Sequence, residues 1–212
     1  MTSSTVFIVD DDTGIRDSIA LLMETCSLQT ACFATADEFL AACGPNPRGC
    51  LILDVRMPGI NGLQLQDEMI LRCIHLPIIF LTGHADVPLT VGAIRKGALD
   101  VIVKPVNGDL LLELVHNALE ADRLRHQADS ALMLFTARLF KLTARERQVL
   151  SLALSGMPNK TMADELGISL RTIEGHRTRI YLKLGVDSLI ELAQQATSAG
   201  MSMSTLTALP PA

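Results

Sequence analysis

The residues of this 212-residue chain that could do chemistry together lie far apart along it. Asp10, Asp11 and Asp12 follow one apolar run directly. Asp54 closes a second run (Leu51-Ile52-Leu53), Thr82 a third (Ile78-Ile79-Phe80-Leu81) and Lys104 a fourth (Val101-Ile102-Val103). If the runs are parallel strands of one sheet, their carboxyl ends share an edge, which is where open α/β folds place their sites. Carboxylates crowded there repel one another and hold protons unless a cation sits among them. Oxygen donors suit a hard ion, and Mg²⁺ in such a site takes one or two carboxylates and keeps waters for an incoming phosphate. A Lys ammonium and a Thr hydroxyl suit the remaining phosphate oxygens. An Asp so placed is a nucleophile for phosphoryl transfer, forming an aspartyl phosphate. Singly, each residue has a plainer role: Asp12 as the N-cap of a helix from Thr13, Asp54 as a turn carboxylate, Thr82 as a strand-end hydroxyl, His84 as a loop histidine.

The elements that must position these groups are legible in the first half. Strands are expected at Thr5–Val9, Leu28–Phe33, Cys50–Leu53, Pro77–Leu81 and Val101–Val103, most of them continuously apolar, as parallel strands buried on both faces should be. Helical patterns fall near 13–25, 35–43, 62–71, 87–96 and 107–121, and Gly44-Pro45, Pro58-Gly59, Gly62, Gly97 and Asn107-Gly108 punctuate the joins. Five β-α repeats predict a doubly wound five-stranded parallel sheet over residues 1–122, with helices on both faces. Beyond it the β-branched runs stop. Residues 123–141 read as a helical linker, either continuing the previous helix or covering a neighbouring surface with Leu132, Leu134, Phe135, Leu139 and Phe140.

Composition narrows the classes. Apolar residues make 49% of the chain and charged residues 19%, enough for a core and against global disorder. No apolar run reaches the roughly 18 residues a membrane span needs, and Met1-Thr2-Ser3-Ser4-Thr5 has neither a basic start nor a signal-type apolar stretch, so a cytoplasmic protein is expected. Cys26, Cys32, Cys43, Cys50 and Cys73 are odd in number and lack CxxC spacing, which predicts reduced, mostly buried thiols and no zinc site. The net charge of −5 is uneven: residues 1–122 carry seven Lys and Arg against 16 Asp and Glu, residues 123–212 eleven against seven. A basic half joined to an acidic one points to two jobs, the second near a polyanion.

Residues 142–200 read as four short helices. Thr143 and Glu146 make a capping box, and Gly156 stops that helix. The second covers about 158–166 and ends at Gly167, the third is capped by Ser169 and ends at Gly185, and the fourth follows Asp187-Ser188. Residues 201–212, rich in Ser, Thr, Ala and Pro, are expected to be a disordered tail. Helices two and three form a helix-turn-helix pattern, whose second member enters the major groove of double-stranded DNA. On that helix Ile173, Ile180 and Leu184 line one side. Arg171, Glu174, Gly175 and Thr178 line another, suited in turn to guanine edges, cytosine, close backbone approach and a thymine methyl. Lys160, Thr172, Arg177, Arg179 and Lys183 are candidates for phosphate contacts.

The motifs now carry a resemblance. Ile8-Val9-Asp10-Asp11-Asp12, Leu53-Asp54-Val55-Arg56-Met57-Pro58-Gly59, Leu81-Thr82-Gly83-His84 and Val103-Lys104-Pro105 resemble the response-regulator receiver domain over about residues 5–122. Leu142 to Leu150, with Pro158-Asn159-Lys160, Ala163, Leu166-Gly167-Ile168-Ser169, Thr172-Ile173 and His176, resembles the LuxR-type DNA-binding domain over about 138–200. Together the halves are similar to the NarL/FixJ class of two-component transcriptional regulators, on the FixJ branch by Arg171-Thr172-Ile173-Glu174. The resemblance implies that Asp54 accepts a phosphoryl group from a sensor histidine kinase. It implies Mg²⁺ bound by Asp10, Asp11, Asp54 and the Arg56 carbonyl, Thr82 turning inward, Lys104 neutralising the phosphoryl group, and a cis bond before Pro105. It further implies a homodimer formed on phosphorylation, with the fourth helix (Leu189, Ile190, Ala193) pairing the DNA-binding domains. Promoter DNA and RNA polymerase are the implied partners in transcription, and no membrane is.

The chain departs from the receiver pattern at Val101, where the family usually carries Tyr or Phe, and at Val106, where relatives often have Phe. Two other readings stay open. A degenerate receiver would act without phosphorylation; the complete acidic set argues against it, and Val101 keeps it open. An aspartyl phosphatase of the haloacid dehalogenase type would need a second Asp two residues after Asp54, where Arg56 stands.

Overall fold

In the computed structural model, residues 4–84, 87–202 and 206 are described. The chain divides into two compact units, Met1–Leu124 and Arg125–Ala212. In the first, strands β1 (Thr5–Val9), β2 (Gln29–Phe33), β3 (Gly49–Asp54), β4 (Ile78–Thr82) and β5 (Asp100–Val103) pair in parallel in the order β2-β1-β3-β4-β5. Strand order reverses between β1 and β3, whose ends carry Asp10 and Asp54, and a crevice opens at such a reversal.

The continuous apolar runs are explained by burial on both faces. In β3, Cys50 and Ile52 pack with Ile19 and Met23 of α1 (Thr13–Thr25) and Leu111, Val115 and Ala118 of α5 (Gly108–Phe140). Leu51 and Leu53 face the other way, onto Phe39 of α2 (Ala36–Ala42), Leu65 and Met69 of α3 (Gly62–Leu71) and Ala93 of α4 (Val87–Arg95). Side chains alternate across a strand, so one short run supplies two cores.

Helix α5 runs 33 residues without a break, past the expected end near residue 121 and through the segment read as a linker, as the first of the two readings of 123–141 has it. Its buried positions belong to one core at Leu111, Val115 and Ala118 and to another at Phe135 and Leu139. Asp122, fully buried, accepts from Arg48 Nε and from the Gly49 amide, each at 3.1 Å.

The second unit is helical: the end of α5, then α6 (Ala144–Leu154), α7 (Asn159–Leu166), α8 (Leu170–Leu184) and α9 (Leu189–Ser198). The expected capping box of Thr143 and Glu146 is present, Ser169 and Ser188 cap α8 and α9, and α7 and α8 end in left-handed Gly167 and Gly185. Of the tail expected to be disordered, Leu206 is buried in the second core. Residues 203–205 and 207–212 lie outside the described residues. The expectation of mostly buried thiols is corrected: all five cysteines are free, but only Cys50 is buried, and burial pushes its thiol up to about 12. Cys32 lies on the edge strand β2, and Cys26 and Cys73 occupy turns after helices, where apolar character does not bring burial.

Candidate functional site

Four strand ends bring the predicted residues of the first unit to one edge. The Asp10, Asp11 and Asp54 carboxylates each offer an oxygen within 4.8 Å of the others. Asp10 and Asp54 are buried and Asp11 is exposed. Lys104 Nζ lies 2.8 Å from Asp10 Oδ2 and 2.7 Å from Asp54 Oδ1. Each remaining oxygen of that pair accepts a backbone amide, Asp10 Oδ1 from Asp12 at 2.9 Å and Asp54 Oδ2 from Arg56 at 2.8 Å. The Lys104–Pro105 peptide is cis.

The backbone around Asp54 demands a glycine. A Cβ on Gly62 would stand 2.3 Å from the Asp54 carbonyl oxygen, so α3 can start this close to the acidic edge only without a side chain there. Asn61 then caps α3 in a reciprocal box with Gln64.

Charge at the edge is unbalanced. Burial pushes the Asp54 carboxyl above the usual aspartate value, and the Asp10 charge adds to this, while Lys104 and the Arg56 amide oppose it. Burial would pull Lys104 down, but its bonds to Asp10 and Asp54 outweigh that and raise it, so it stays an ammonium. Three carboxylates outnumber the cations that touch them, Lys104 on Asp10 and Asp54 and Arg16 on the Asp10 carbonyl, and the all-oxygen donor set is of the kind Mg²⁺ prefers. A cleft of about 450 Å³ lined by Asp11, Arg56 and Met57, among others, opens beside the carboxylates.

Thr82 is buried at the end of β4, but its hydroxyl bonds to the loop, donating to the His84 carbonyl at 3.1 Å and accepting the His84 amide at 3.4 Å. Asp12 accepts the amides of Gly14 and Ile15, at 2.8 and 3.2 Å, and is the α1 N-cap. Sequence reasoning missed Arg16, whose guanidinium donates to the Asp10 carbonyl and to the Thr13 hydroxyl. The available signal was its place one turn into the helix that follows the acidic triplet. Val101 is half-buried against the core beneath α4.

In the second unit, Ile173, Ile180 and Leu184 are buried as expected. Lys160, Arg171, Thr172, Glu174, Thr178 and Arg179 are exposed. A Cβ at Gly175 would meet nothing within 4 Å, so the helix surface there is open to close approach. Two of the expected phosphate contacts have partners within the unit. Lys183 Nζ is 2.6 Å from Oε2 of the buried Glu146, and Arg177 donates to Asn159 Oδ1 and to the Tyr181 hydroxyl, both at 2.6 Å. Periodicity gave the direction of these side chains but not the partners waiting on α6 and α7. Burial alone would push the Glu146 carboxyl up; bonds from Lys183 and Thr143 outweigh it and hold the group below the usual glutamate value.

Comparison with known proteins agrees with this geometry. Residues 6–116 match the family described as the response regulator receiver domain, and residues 141–196 match bacterial regulatory proteins of the luxR family. The chain is 40% identical over 197 residues to the transcriptional regulatory protein FixJ of Azorhizobium caulinodans, covering 93% of each. It is 37% identical over 201 residues to nodulation protein W of Bradyrhizobium diazoefficiens, covering 95% of this chain and 88% of that one. The solved structure of the response regulator StyR superposes with a TM-score of 0.86 at 37% identity, over 92% of this chain and 99% of that one.

The chain therefore belongs to the response regulators that join a receiver domain to a luxR-family DNA-binding domain, in the FixJ-like group. It is a two-component regulator of transcription and not an enzyme. Among the described residues no helix is long and apolar enough to cross a membrane.

Proposed function

We propose that Asp54 is the phosphoacceptor of a cytoplasmic, magnesium-dependent switch that pairs two copies of the chain on promoter DNA. The observation that carries this is the convergence of Asp10, Asp11 and Asp54 with Lys104 between two of them. Asp10, Asp11, Asp54 and the Arg56 carbonyl would hold Mg²⁺, which when bound supplies positive charge for the phosphoryl oxygens. An Asp54 carboxylate oxygen attacks the phosphorus of a kinase phosphohistidine. The O–P bond forms as the N–P bond breaks, and the imidazole leaves with the electron pair. Lys104 opposes the effect of burial on the Asp54 carboxylate before transfer and pairs with the phosphoryl group after it. Thr82 exchanges its bond to the His84 carbonyl for one to a phosphoryl oxygen, and the β4–α4 loop follows.

The output has apolar surfaces ready to be covered. Val87, Val91 and Ile94 of α4, Val103 of β5 and Leu110 of α5 are exposed, supporting pairing through the α4-β5-α5 face. Ile190 of α9 is 74% exposed beside a hollow of about 570 Å³ that Leu154, Leu189 and Ala193 help to line, supporting pairing of the DNA-binding units. In the groove, Arg171, Glu174, Gly175 and Thr178 face base edges, and Lys160, Thr172 and Arg179 face phosphates. RNA polymerase recruited to the promoter is the remaining partner.

The test compares an Asp54→Asn chain with wild type, each treated with acetyl phosphate and Mg²⁺. Wild type should dimerise and bind promoter DNA more tightly, whereas the Asp54→Asn chain should do neither. Equal oligomerisation and affinity would favour the degenerate receiver instead.

A further inference from the structure

The groove helix α8 is held by a fork that its own sequence conceals. Arg177 sits four residues after Ile173 and three before Ile180, so it belongs to the stripe that faces the core and not to the outward stripe of Arg171, Gly175 and Thr178. Its guanidinium uses two nitrogens on two different helices. One donates to Asn159 Oδ1, on the first residue of α7, and the other to the Tyr181 hydroxyl on α8, each at 2.6 Å. The guanidinium carbon lies 5.7 Å from the Tyr181 ring centroid, which adds a cation–π contact. Pro158 precedes α7 and no side-chain hydrogen bond caps its first turn, so the bond from Arg177 to Asn159 is a side-chain tie at that end of the helix. Lys160, the next residue, is exposed and is the proposed phosphate contact.

We infer that Arg177 is a positioning residue for DNA recognition: it ties α8 to the start of α7 and so sets how the readout stripe of α8 is presented to the groove, without neutralising a phosphate itself. The inference rests on α8 being the helix that enters the groove. The planar fork fixes two acceptors at once, which the single ammonium of a lysine does not do.

The two roles leave different signatures. Removing a residue that neutralises a phosphate flattens the slope of log affinity against log salt by about 0.9 and weakens all sequences alike. Removing a positioning bond leaves the slope and reduces discrimination between sequences. The full chain, treated with acetyl phosphate and Mg²⁺, is used to select a duplex from a random-sequence pool. Affinities for that duplex and a scrambled version are then measured across a salt series for wild type, Arg177→Ala, Arg177→Lys, Asn159→Ala and the Arg177→Ala/Asn159→Ala double variant. Arg177→Ala should reduce the ratio of selected to scrambled affinity about tenfold at unchanged slope, a coupling of ordinary size for contacting residues. Arg177→Lys should not restore the ratio, and the double variant should be no worse than Arg177→Ala.

A flattened slope with the ratio intact would overturn the inference, as would additive losses from Asn159 and Arg177. If thermal unfolding shows that Arg177→Ala does not fold, Asn159→Ala decides, since it keeps every charge and removes one acceptor. A reduced ratio supports the inference, and an unchanged ratio overturns it. If wild type enriches no duplex, the assignment of α8 to the groove fails, and the inference falls with it by a result unlike any of the others.

Discussion

In the first unit Lys104 lies 2.7 Å from Asp54 and 2.8 Å from Asp10, with Asp11 alongside; in the second, Lys183 lies 2.6 Å from Glu146. The contacts are alike in length and in the burial of their carboxylates, but the carboxyl groups move in opposite directions. Asp54 is held above the usual aspartate value and Glu146 below the usual glutamate value. At Glu146 one cation and a capping-box amide answer one anion, and the pair ties α8 to the start of α6. At Asp54 one cation serves two buried carboxylates and a third stands open to solvent. A balanced pair is scaffold, and a surplus of one sign is where a further charged group can bind.

That comparison can be broken most directly by mutation. Replacing Glu146 with Ala removes the box and leaves Lys183 facing apolar surface, so thermal or urea unfolding should show a loss of about 2 kcal/mol. The figure is below that for a fully buried pair because Lys183 keeps about a third of its side chain in solvent. Asp54→Asn should cost no stability in metal-free buffer, since it relieves crowding and leaves Lys104 paired with Asp10. A destabilised Asp54→Asn chain would mean that the acidic edge is scaffold too.

An effect of similar size concerns magnesium. Added to wild type it should raise the unfolding temperature by mass action, by about 1–3 kcal/mol at tens to hundreds of times its dissociation constant. The shift should shrink in Asp11→Ala. Glu146 supplies a pH signature. Its folded value is lowered, so its contribution is complete above about 4.5 and disappears as pH falls through that lowered value. Glu146→Gln should therefore be less stable than wild type at neutral pH, and the difference should close in acid, as followed by urea midpoints. In DNA binding, Lys160→Ala should flatten the salt slope by about 0.9, while Arg171→Ala relaxes base preference by about 1–3 kcal/mol at one position.

Much of the first unit was legible because its signals are local. A run such as Leu51-Ile52-Leu53 can be buried only between two layers, and an Asp at its carboxyl end must fall on the shared edge. The bounds Thr5–Val9 and 62–71 emerge unchanged because Asp10 and Gly62 mark real ends. What escaped depends on partners distant in sequence. The continuation of α5 was one of two readings left open for 123–141, because its buried face changes from one core to another, and nothing near Asp122 announces Arg48, 74 residues away. The spacing of Arg177 from Ile173 and Ile180 turns it toward the core, but the partners of Arg177 and Lys183, which are Asn159, Tyr181 and Glu146, lie on other turns and helices that the spacing does not reveal. Thr82 was placed correctly at a strand end, but its bond to the His84 carbonyl is a loop property that no spacing reveals.

The central claim is that the charge surplus around Asp54 exists to receive a phosphoryl group. Intact-mass measurement of the full chain after acetyl phosphate and Mg²⁺ tests it, with Asp54→Asn as control. The account predicts the mass of one phosphoryl group on wild type, dependent on Mg²⁺, and none on the Asp54→Asn control. No added mass on wild type, or equal addition to both chains, would contradict it.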